Sequence, residues 1–357
     1  MRRTNRNAKL LLKILENIFA YFVERRNASY DLKKKKQCEL SIPVISIGNI
    51  SVGGSGKTPF TIELAKLLIK SGIRPAIIGR GYKRQSSGGL IVSDGANIFA
   101  NPEQAGDEMF LIAKKIPSPV VVHQKKYEAA KIVEENFKVN AILLDDGFQH
   151  RKLKRDLDIV IVDSKTIEQP CLLPRGRLRE PLASLSRADI LLLYSKNDLP
   201  KISSYLKKDA EVFFIEVKND GIRRLDDYGH LACDSYKEKN SEIPPFFNAE
   251  PKNAFATLSS IANPKRFINS LKDFKIKHSF TFRDHHIYRK KDIQSIIKQS
   301  KQLKINTIIT TEKDAVKLYK YKKLFETNSI FVYVFTIKID ILNLEKFTEN
   351  ILKTFQF

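Results

Sequence analysis

Two strings in this chain have the residue types and spacing for phosphoryl chemistry. The first, Gly53-Gly54-Ser55-Gly56-Lys57-Thr58, ends in Gly-Lys-Thr. In that pattern backbone N–H groups curl around phosphate oxygens, the lysine reaches the β- and γ-phosphates, and the hydroxyl ligates Mg²⁺. Gly53, Gly54, Ser55, Gly56, Lys57 and Thr58 are therefore the candidate triphosphate cradle. The pattern GxxxxGK[ST] asks for glycine at position 51, where this chain has Ser51. The second string is Asp145-Asp146-Gly147-Phe148-Gln149-His150, which directly follows the apolar run Ala141-Ile142-Leu143-Leu144. A carboxylate at the end of an apolar strand downstream of such a loop is the usual second holder of Mg²⁺. At least one of Asp145 and Asp146 is expected beside Thr58 at the metal. Gly147 lets the chain turn sharply, so Gln149 and His150 can face the same pocket.

Other strings have two readings each. Gly79-Arg80-Gly81-Tyr82 closes a short apolar run, where an α/β sheet puts ligands, but the same residues suit a surface turn. Asp107 and Glu108 open a helical pattern, and adjacent acids there also serve simply as first-turn charges. Arg175, Arg177 and Arg179 in a Pro/Gly-bounded loop can clamp an anion or form a solvated basic turn. Asp284-His285-His286 could suggest a metal, but neighbouring histidines rarely share one ion. A histidine held by a carboxylate and tuning another acid is the better functional reading. Ser195-Lys196-Asn197-Asp198 echoes the tetrad with which many GTPases read guanine.

The elements that must position these strings alternate. Ile42 to Ile47 reads as a strand, the glycine loop follows, and Leu64, Leu67 and Leu68 mark a helix. Further strands are expected at Ala76–Ile78, Val120–His123, Ala141–Leu144, Leu157–Asp163 and Ile190–Tyr194, with a helix over about 125–136. The fold class is α/β, a P-loop core with a mostly parallel sheet. From about Lys218 to Ile243 the chain is polar and turn-rich, a connector that can form a hairpin. A second α/β unit begins at Ala254 and includes a strand at Thr307–Ile309, ending in Thr310-Thr311-Glu312-Lys313-Asp314. The expected spans are 1–30 for an N-terminal helix, 31–217 for the core, 218–245 for the linker and 246–357 for a smaller C-terminal α/β domain.

A net charge of +23 favours anionic partners, whether nucleic acid, an acidic membrane surface or a phosphorylated substrate. Part of the excess is a lysine-rich solvated surface. Cys38, Cys171 and Cys233 have neither metal nor disulfide spacing, which points to a reducing compartment. In the first thirty residues Leu11, Ile14, Leu15, Ile18 and Phe22 form one helical stripe. Lys13 and Glu16 interrupt it, so it is too charged and short to span a bilayer and unlike a signal peptide. With Arg2, Arg3, Arg25, Arg26 and Lys33 to Lys36 around it, the helix either lies in a membrane interface or packs on the core.

Taken together, the strings resemble the tetraacyldisaccharide 4′-kinase family, the lipid A 4′-kinases of Gram-negative bacteria. The resemblance rests on Gly48-Asn49 with Gly53 to Pro59, Arg80-Gly81-Tyr82, Gly106-Asp107-Glu108 and Asp145 to His150. It continues through Leu178-Arg179-Glu180-Pro181, Asp284-His285-His286 and Thr311 to Asp314. It implies ATP and Mg²⁺ as cofactors and an acylated disaccharide 1-phosphate as acceptor. It also implies a two-stranded linker between the domains and an N-terminal helix on an anionic membrane surface. The implied location is the cytoplasmic face of the inner membrane, as a peripheral protein acting as a monomer without nucleic acid. Asp107 is implied as general base and His285 as its partner, beside Asp284. Lys57 and Arg179 would neutralise phosphate charge, Glu108 would join Asp145 and Asp146 as metal candidates, and Tyr82, Gln149 and His150 would face the substrate. Met109 stands where the family usually has proline. The rival reading, drawn from the charge and the Ser195–Asp198 tetrad, is a nucleic-acid- or ribosome-associated GTPase. A soluble chaperone-type NTPase is a third.

Overall fold

The computed structural model describes residues 2–226 and 254–355. The expected linker beyond position 226, the start of the C-terminal span and Cys233 lie outside the described residues. In chain order the elements that matter are helix α1 (Arg2–Asp31), strand β1 (Val44–Gly48), α2 (Lys57–Lys70), β2 (Pro75–Gly79), β3 (Leu90–Asp94) and α3 (Asp107–Lys115). There follow β4 (Pro119–Val122), α4 (Lys126–Asn136), β5 (Ala141–Asp145), β6 (Leu157–Val162), β7 (Ile190–Leu193) and β8 (Glu211–Arg224). The second half adds β9 (Phe255–Ser259), β10 (Ile276–Thr281), α5 (Lys290–Gln302), β11 (Thr307–Thr311), α6 (Glu312–Leu318), β12 (Phe331–Ile341) and α7 (Leu344–Leu352).

The chain forms two compact units that interleave in sequence. One comprises residues 1–79, 125–216 and 339–357, the other 80–124 and 217–338. This differs from the contiguous spans expected, because residues 80–124, which carry Asp107, group with the second half. The expected connector also begins as regular structure, since β8 continues through Arg224. Its polar composition hides two inward side chains, Ile222 and Leu225, and Ile222 packs with Phe255, Tyr333 and Phe335.

In the first unit six parallel strands run in the order β8-β7-β6-β1-β5-β2. Every residue of β1, β5 and β7 is buried, as parallel strands covered on both faces require. The pairing Ile47↔Asp145 sets the glycine loop after β1 beside the Asp145-Asp146 turn, both at the carboxyl ends of their strands, where such sheets hold ligands. In the second unit β10, β9, β11 and β12 are parallel neighbours, and β3 pairs antiparallel with β4. The ends of β9 and β11 lead into Ser260 and Glu312.

Helix α1 reverses the usual amphipathic arrangement. Leu11, Ile14, Leu15, Ile18 and Phe22 are exposed, Phe22 by 64%. The face turned inward carries Glu16 and Asn27, at 7% and 8% exposure. Glu16 accepts from the backbone N–H of Leu172 at 2.8 Å and pairs with Arg175. Asn27 donates to Glu180 at 3.0 Å, while Phe19 and Ala20 pack against the cluster of Ile50, Phe148 and Leu178. No helix among the described residues is long and apolar enough to cross a membrane.

Gly48 ends β1 where Phe148 crosses it. A Cβ added there would lie 2.5 Å from the Phe148 Cβ and 2.8 Å from its backbone nitrogen, distances real side chains do not reach. Gly48→Ala should therefore destabilise the protein by about 1–3 kcal/mol, read as a lower midpoint in denaturant unfolding followed by circular dichroism.

Candidate active site

In the first unit the loop delivers its lysine into a polar network. Gly56 caps α2, and the Lys57 ammonium donates to Asn49 Oδ1 at 3.1 Å and lies 3.3 Å from Asp146. Asn49 in turn donates to Ser55 Oγ at 2.9 Å, and Tyr194 donates to the Ser55 carbonyl at 2.9 Å. Arg179 grips Asp146 through two bonds of 2.8 and 3.0 Å and reaches Gln149 Oε1 at 3.3 Å. Gln149 closes the ring by donating to the Asn49 carbonyl at 2.9 Å. The sequence candidates Lys57, Asp146, Gln149 and Arg179 thus come together around one place.

Asp146 is in the left-handed region at φ 50. Burial alone would raise its carboxyl, but Lys57, Lys126 and Arg179 hold it far below the usual carboxylate range. Asp145 is buried behind it and accepts from the Thr61 hydroxyl at 3.1 Å. Lys126, the first residue of α4, was not singled out from the sequence. Its ammonium is 6% exposed and donates to the carbonyls of Asp145 and Asp146 at 2.8 and 2.5 Å. Burial pushes its pKa down, with the two aspartates opposing. No local pattern marks such a residue, because its partners are backbone oxygens of another strand's turn. His150 turns away from the network and stacks on Tyr127, ring centres 6.2 Å apart. Burial first, then Lys126, Arg155, Arg26 and Lys152, push its pKa down to about 4, so it is neutral near pH 7. Thr58, Asp145 and Asp146 supply the hard oxygen donors that suit Mg²⁺. Among the described residues no three His, Cys, Asp or Glu side chains gather as a metal-binding group.

Ser195-Lys196-Asn197-Asp198 forms a tight turn. The Asp198 carboxylate, 3% exposed, faces inward and accepts from Ser164 at 2.5 Å and Lys201 at 3.2 Å. Bound in this way it closes the turn instead of offering its oxygens to a base edge.

The second unit gathers the remaining candidates. Gly106, at φ 84, lets α3 start hard against residues 81–82, and a Cβ there would lie 3.1 Å from the Tyr82 carbonyl oxygen. Asp107, the first residue of α3, is 6% exposed. Its carboxylate takes the Glu108 N–H at 3.0 Å and lies 2.9 and 3.1 Å from His285 Nδ1. His285 occupies the left-handed region at φ 60, and its N–H donates to the Ser260 carbonyl at 3.2 Å, just past β9. Tyr82 meets the His285 ring edge-on at 4.8 Å. Asp107, Tyr82, His285 and Lys83 line one concavity.

Two lysines after β11 complete the cluster. Lys313 lies 3.1 Å from Glu108 and 3.2 Å from Asp284. Lys317 lies 3.6 Å from Asp107 and 3.0 Å from Asp314. Neither lysine carries a role that its own sequence string declares, although a place just past a parallel strand's carboxyl end is a usable signal. Glu108, a metal candidate on paper, meets an ammonium here. Burial works to raise Asp107, but the His285 hydrogen bond and the charges of Lys313 and Lys317 prevail and hold it at about 2.

A strand, a glycine loop and a helix carrying Gly-Lys-Thr, with an acid pair at the neighbouring strand's end, define a P-loop phosphotransferase. The model of the family described as tetraacyldisaccharide-1-P 4′-kinase (LpxK) matches residues 8–356, and the chain belongs to that family. The tetraacyldisaccharide 4′-kinase of Halothermothrix orenii is 36% identical over 346 residues, covering 93% of this chain and 88% of that protein. That of Pelodictyon phaeoclathratiforme is 33% identical over 347 residues, 94% of each. The crystal structure of LpxK from Aquifex aeolicus in complex with ATP superposes with a TM-score of 0.76 at 30% identity, covering 98% of this chain and all of that one.

The depressed Asp107 carboxyl has a measurable consequence. Its folded pKa of about 2 is below an unfolded value near 3.9, so ionised Asp107 stabilises the fold above pH 4. That contribution is lost as pH falls toward 2. Between pH 7 and pH 3 the wild type should lose roughly 1 kcal/mol more unfolding free energy than Asp107→Asn, measured by urea titration at each pH.

Proposed function

We propose that this chain transfers the γ-phosphate of ATP to the 4′-hydroxyl of a tetraacylated glucosamine disaccharide 1-phosphate, with Asp107 as general base. Family membership supports the reaction, and the ATP complex of the relative supports the nucleotide. The observation that carries the base assignment is a buried, ionised carboxylate beside a histidine, both lining one concavity. Asp107 accepts the hydroxyl proton as the acceptor oxygen bonds to phosphorus and the bond to ADP breaks. His285 holds the carboxylate in position. Lys57 and Arg179 neutralise the phosphate oxygens, which is most of what a loose phosphoryl-transfer transition state asks of a protein. Thr58 and the Asp145-Asp146 pair would hold Mg²⁺, whose chemistry when bound would be further neutralisation of phosphate charge. Tyr82 contributes its exposed ring to the acceptor side.

Asp107→Ala is expected to lower phosphate transfer by at least about 10²-fold while ATP binding survives. The assay follows label from ATP onto lipid A disaccharide 1-phosphate, with calorimetry for the nucleotide. Near-wild-type turnover would remove Asp107 from the base role, and preferential use of GTP would favour the GTPase reading instead.

The apolar stripe of α1 supports a place on a lipid surface. Its inward face is anchored through Glu16 and Asn27, and the basic run Lys33 to Lys36 nearby is exposed, a combination that suits an anionic interface. Full burial of one such side chain is worth about 1.5–3 kcal/mol. Replacing Leu11, Ile14, Ile18 and Phe22 together by serine should thus weaken co-sedimentation with phosphatidylglycerol vesicles by at least roughly tenfold, with the melting temperature retained. Unchanged sedimentation would assign attachment to the basic surface alone.

A further inference from the structure

Lys313 has three polar neighbours: His285 Nε2 at 3.0 Å, Glu108 Oε1 at 3.1 Å and Asp284 Oδ1 at 3.2 Å. An ammonium has three hydrogens to donate and no lone pair to accept with. Each neighbour must therefore offer a lone pair, and for His285 that fixes Nε2 as the unprotonated nitrogen. The ring hydrogen then resides on Nδ1 and is donated to Asp107, 2.9 Å away. The result runs against the local charge. Glu108 and Asp284 carboxylate oxygens lie 4.0 and 3.8 Å from Nε2, acceptors that by themselves would draw the ring hydrogen to that nitrogen. Burial opposes the charge on Lys313, but Glu108, Asp107 and Asp284 outweigh it and keep the ammonium above its ordinary pKa.

We propose that Lys313 is a positioning residue that fixes His285 as the neutral Nδ1–H tautomer, so that His285 orients the Asp107 carboxylate and does not carry its proton onward. The proposal rests on the reading of Asp107 as the base. The hydroxyl proton stops at Asp107, and its onward path bypasses His285, because Nε2 faces a donor. Removing Lys313 leaves Nε2 facing the Glu108 and Asp284 carboxylates, which can only accept, so the ring hydrogen moves to Nε2 and Nδ1 no longer donates to Asp107. Asp107 then loses the hydrogen bond that aims its carboxylate at the acceptor hydroxyl.

The decisive measurement is a two-bond ¹H–¹⁵N correlation spectrum of the histidine rings in the full-length ¹⁵N-labelled protein near pH 7.5. The His285 signals are assigned by their disappearance in His285→Gln. A pyrrole-type nitrogen at Nδ1 and a pyridine-type nitrogen at Nε2 are expected. An imidazolium or Nε2–H pattern in the wild type would overturn the proposal, and this holds even if no Lys313 variant folds. In Lys313→Met the pattern should change to Nε2–H. Its kcat should fall by roughly 10²-fold with the KM for ATP unchanged, and Lys313→Arg should recover part of the rate and keep the tautomer. An unaltered tautomer in Lys313→Met would also refute the assignment. The loss should vanish in an Asp107→Asn background, because both residues act on one proton. If the tautomer behaves as stated but Asp107→Ala stays active, the base assignment fails and the Lys313 assignment stands.

Discussion

Desolvated carboxylates are the constraint around which both polar clusters are built. Asp107, Asp145 and Asp314 are at most 6% exposed, and an isolated buried carboxylate is too costly to stay ionised. Each cluster meets the cost with cations and hydrogen-bond donors drawn close to the carboxylates. Asp146 is held by Lys57 and Arg179, Asp107 by Lys317 and the His285 ring. Asp314 has no exposed surface and accepts from the Ser260 N–H, the Tyr288 hydroxyl and the Thr311 hydroxyl besides Lys317. Deleting one cation from such a group leaves a charge unpaired, an effect on the order of 3–5 kcal/mol. The residues that shape the chemistry are for that reason also residues that the fold needs.

Five of the six strands of the first unit were legible because parallel strands buried on both faces write themselves as continuous apolar runs, while β8, only partly buried, was not. Val44 to Gly48, Ala141 to Asp145 and Ile190 to Leu193 lie within a residue or two of where the sequence places them. The site was legible wherever its residues share one string, as Gly53 to Thr58 and Asp145-Asp146 do. It was illegible where partners are far apart in sequence. Asp107 and Glu108 at a helix start look like ordinary dipole-compensating acids until His285, 178 residues on, and Lys313 are seen around them. Lys126 is the extreme case, a buried cation whose partners are two carbonyl oxygens. The interleaving of the units was hidden for a related reason, since nothing local tells residues 80–124 to pack with a segment more than a hundred residues later.

Helix α1 shows how a few polar residues can settle an orientation that periodicity leaves open. The apolar stripe from Leu11 to Phe22 is equally compatible with a core helix and with a surface helix. Glu16 and Asn27 decide between them, because a buried polar group needs a partner and theirs are specific: the Leu172 N–H, Arg175 and Glu180. Once those bonds orient the helix, the larger side chains point outward. Contiguous exposed apolar surface of that kind is uncommon on a protein that meets only water.

A carboxylate held at about pH 2 looks a poor base for an alcohol, and the loose character of phosphoryl transfer resolves this. The acceptor hydroxyl loses its acidity barrier only as its oxygen bonds to phosphorus, so the proton leaves late and a weak base suffices. In the proposed reaction Asp107 need only be ionised and aimed whenever the acceptor arrives. Strong ion pairing secures the first, and the proposed His285 tautomer, donating from Nδ1, would secure the second. A more basic Asp107 would require fewer cations around it, and the same change would leave the carboxylate free to turn away from the acceptor. The buried lysines therefore trade intrinsic basicity for a fixed, always ionised acceptor, the better exchange in a reaction governed by positioning.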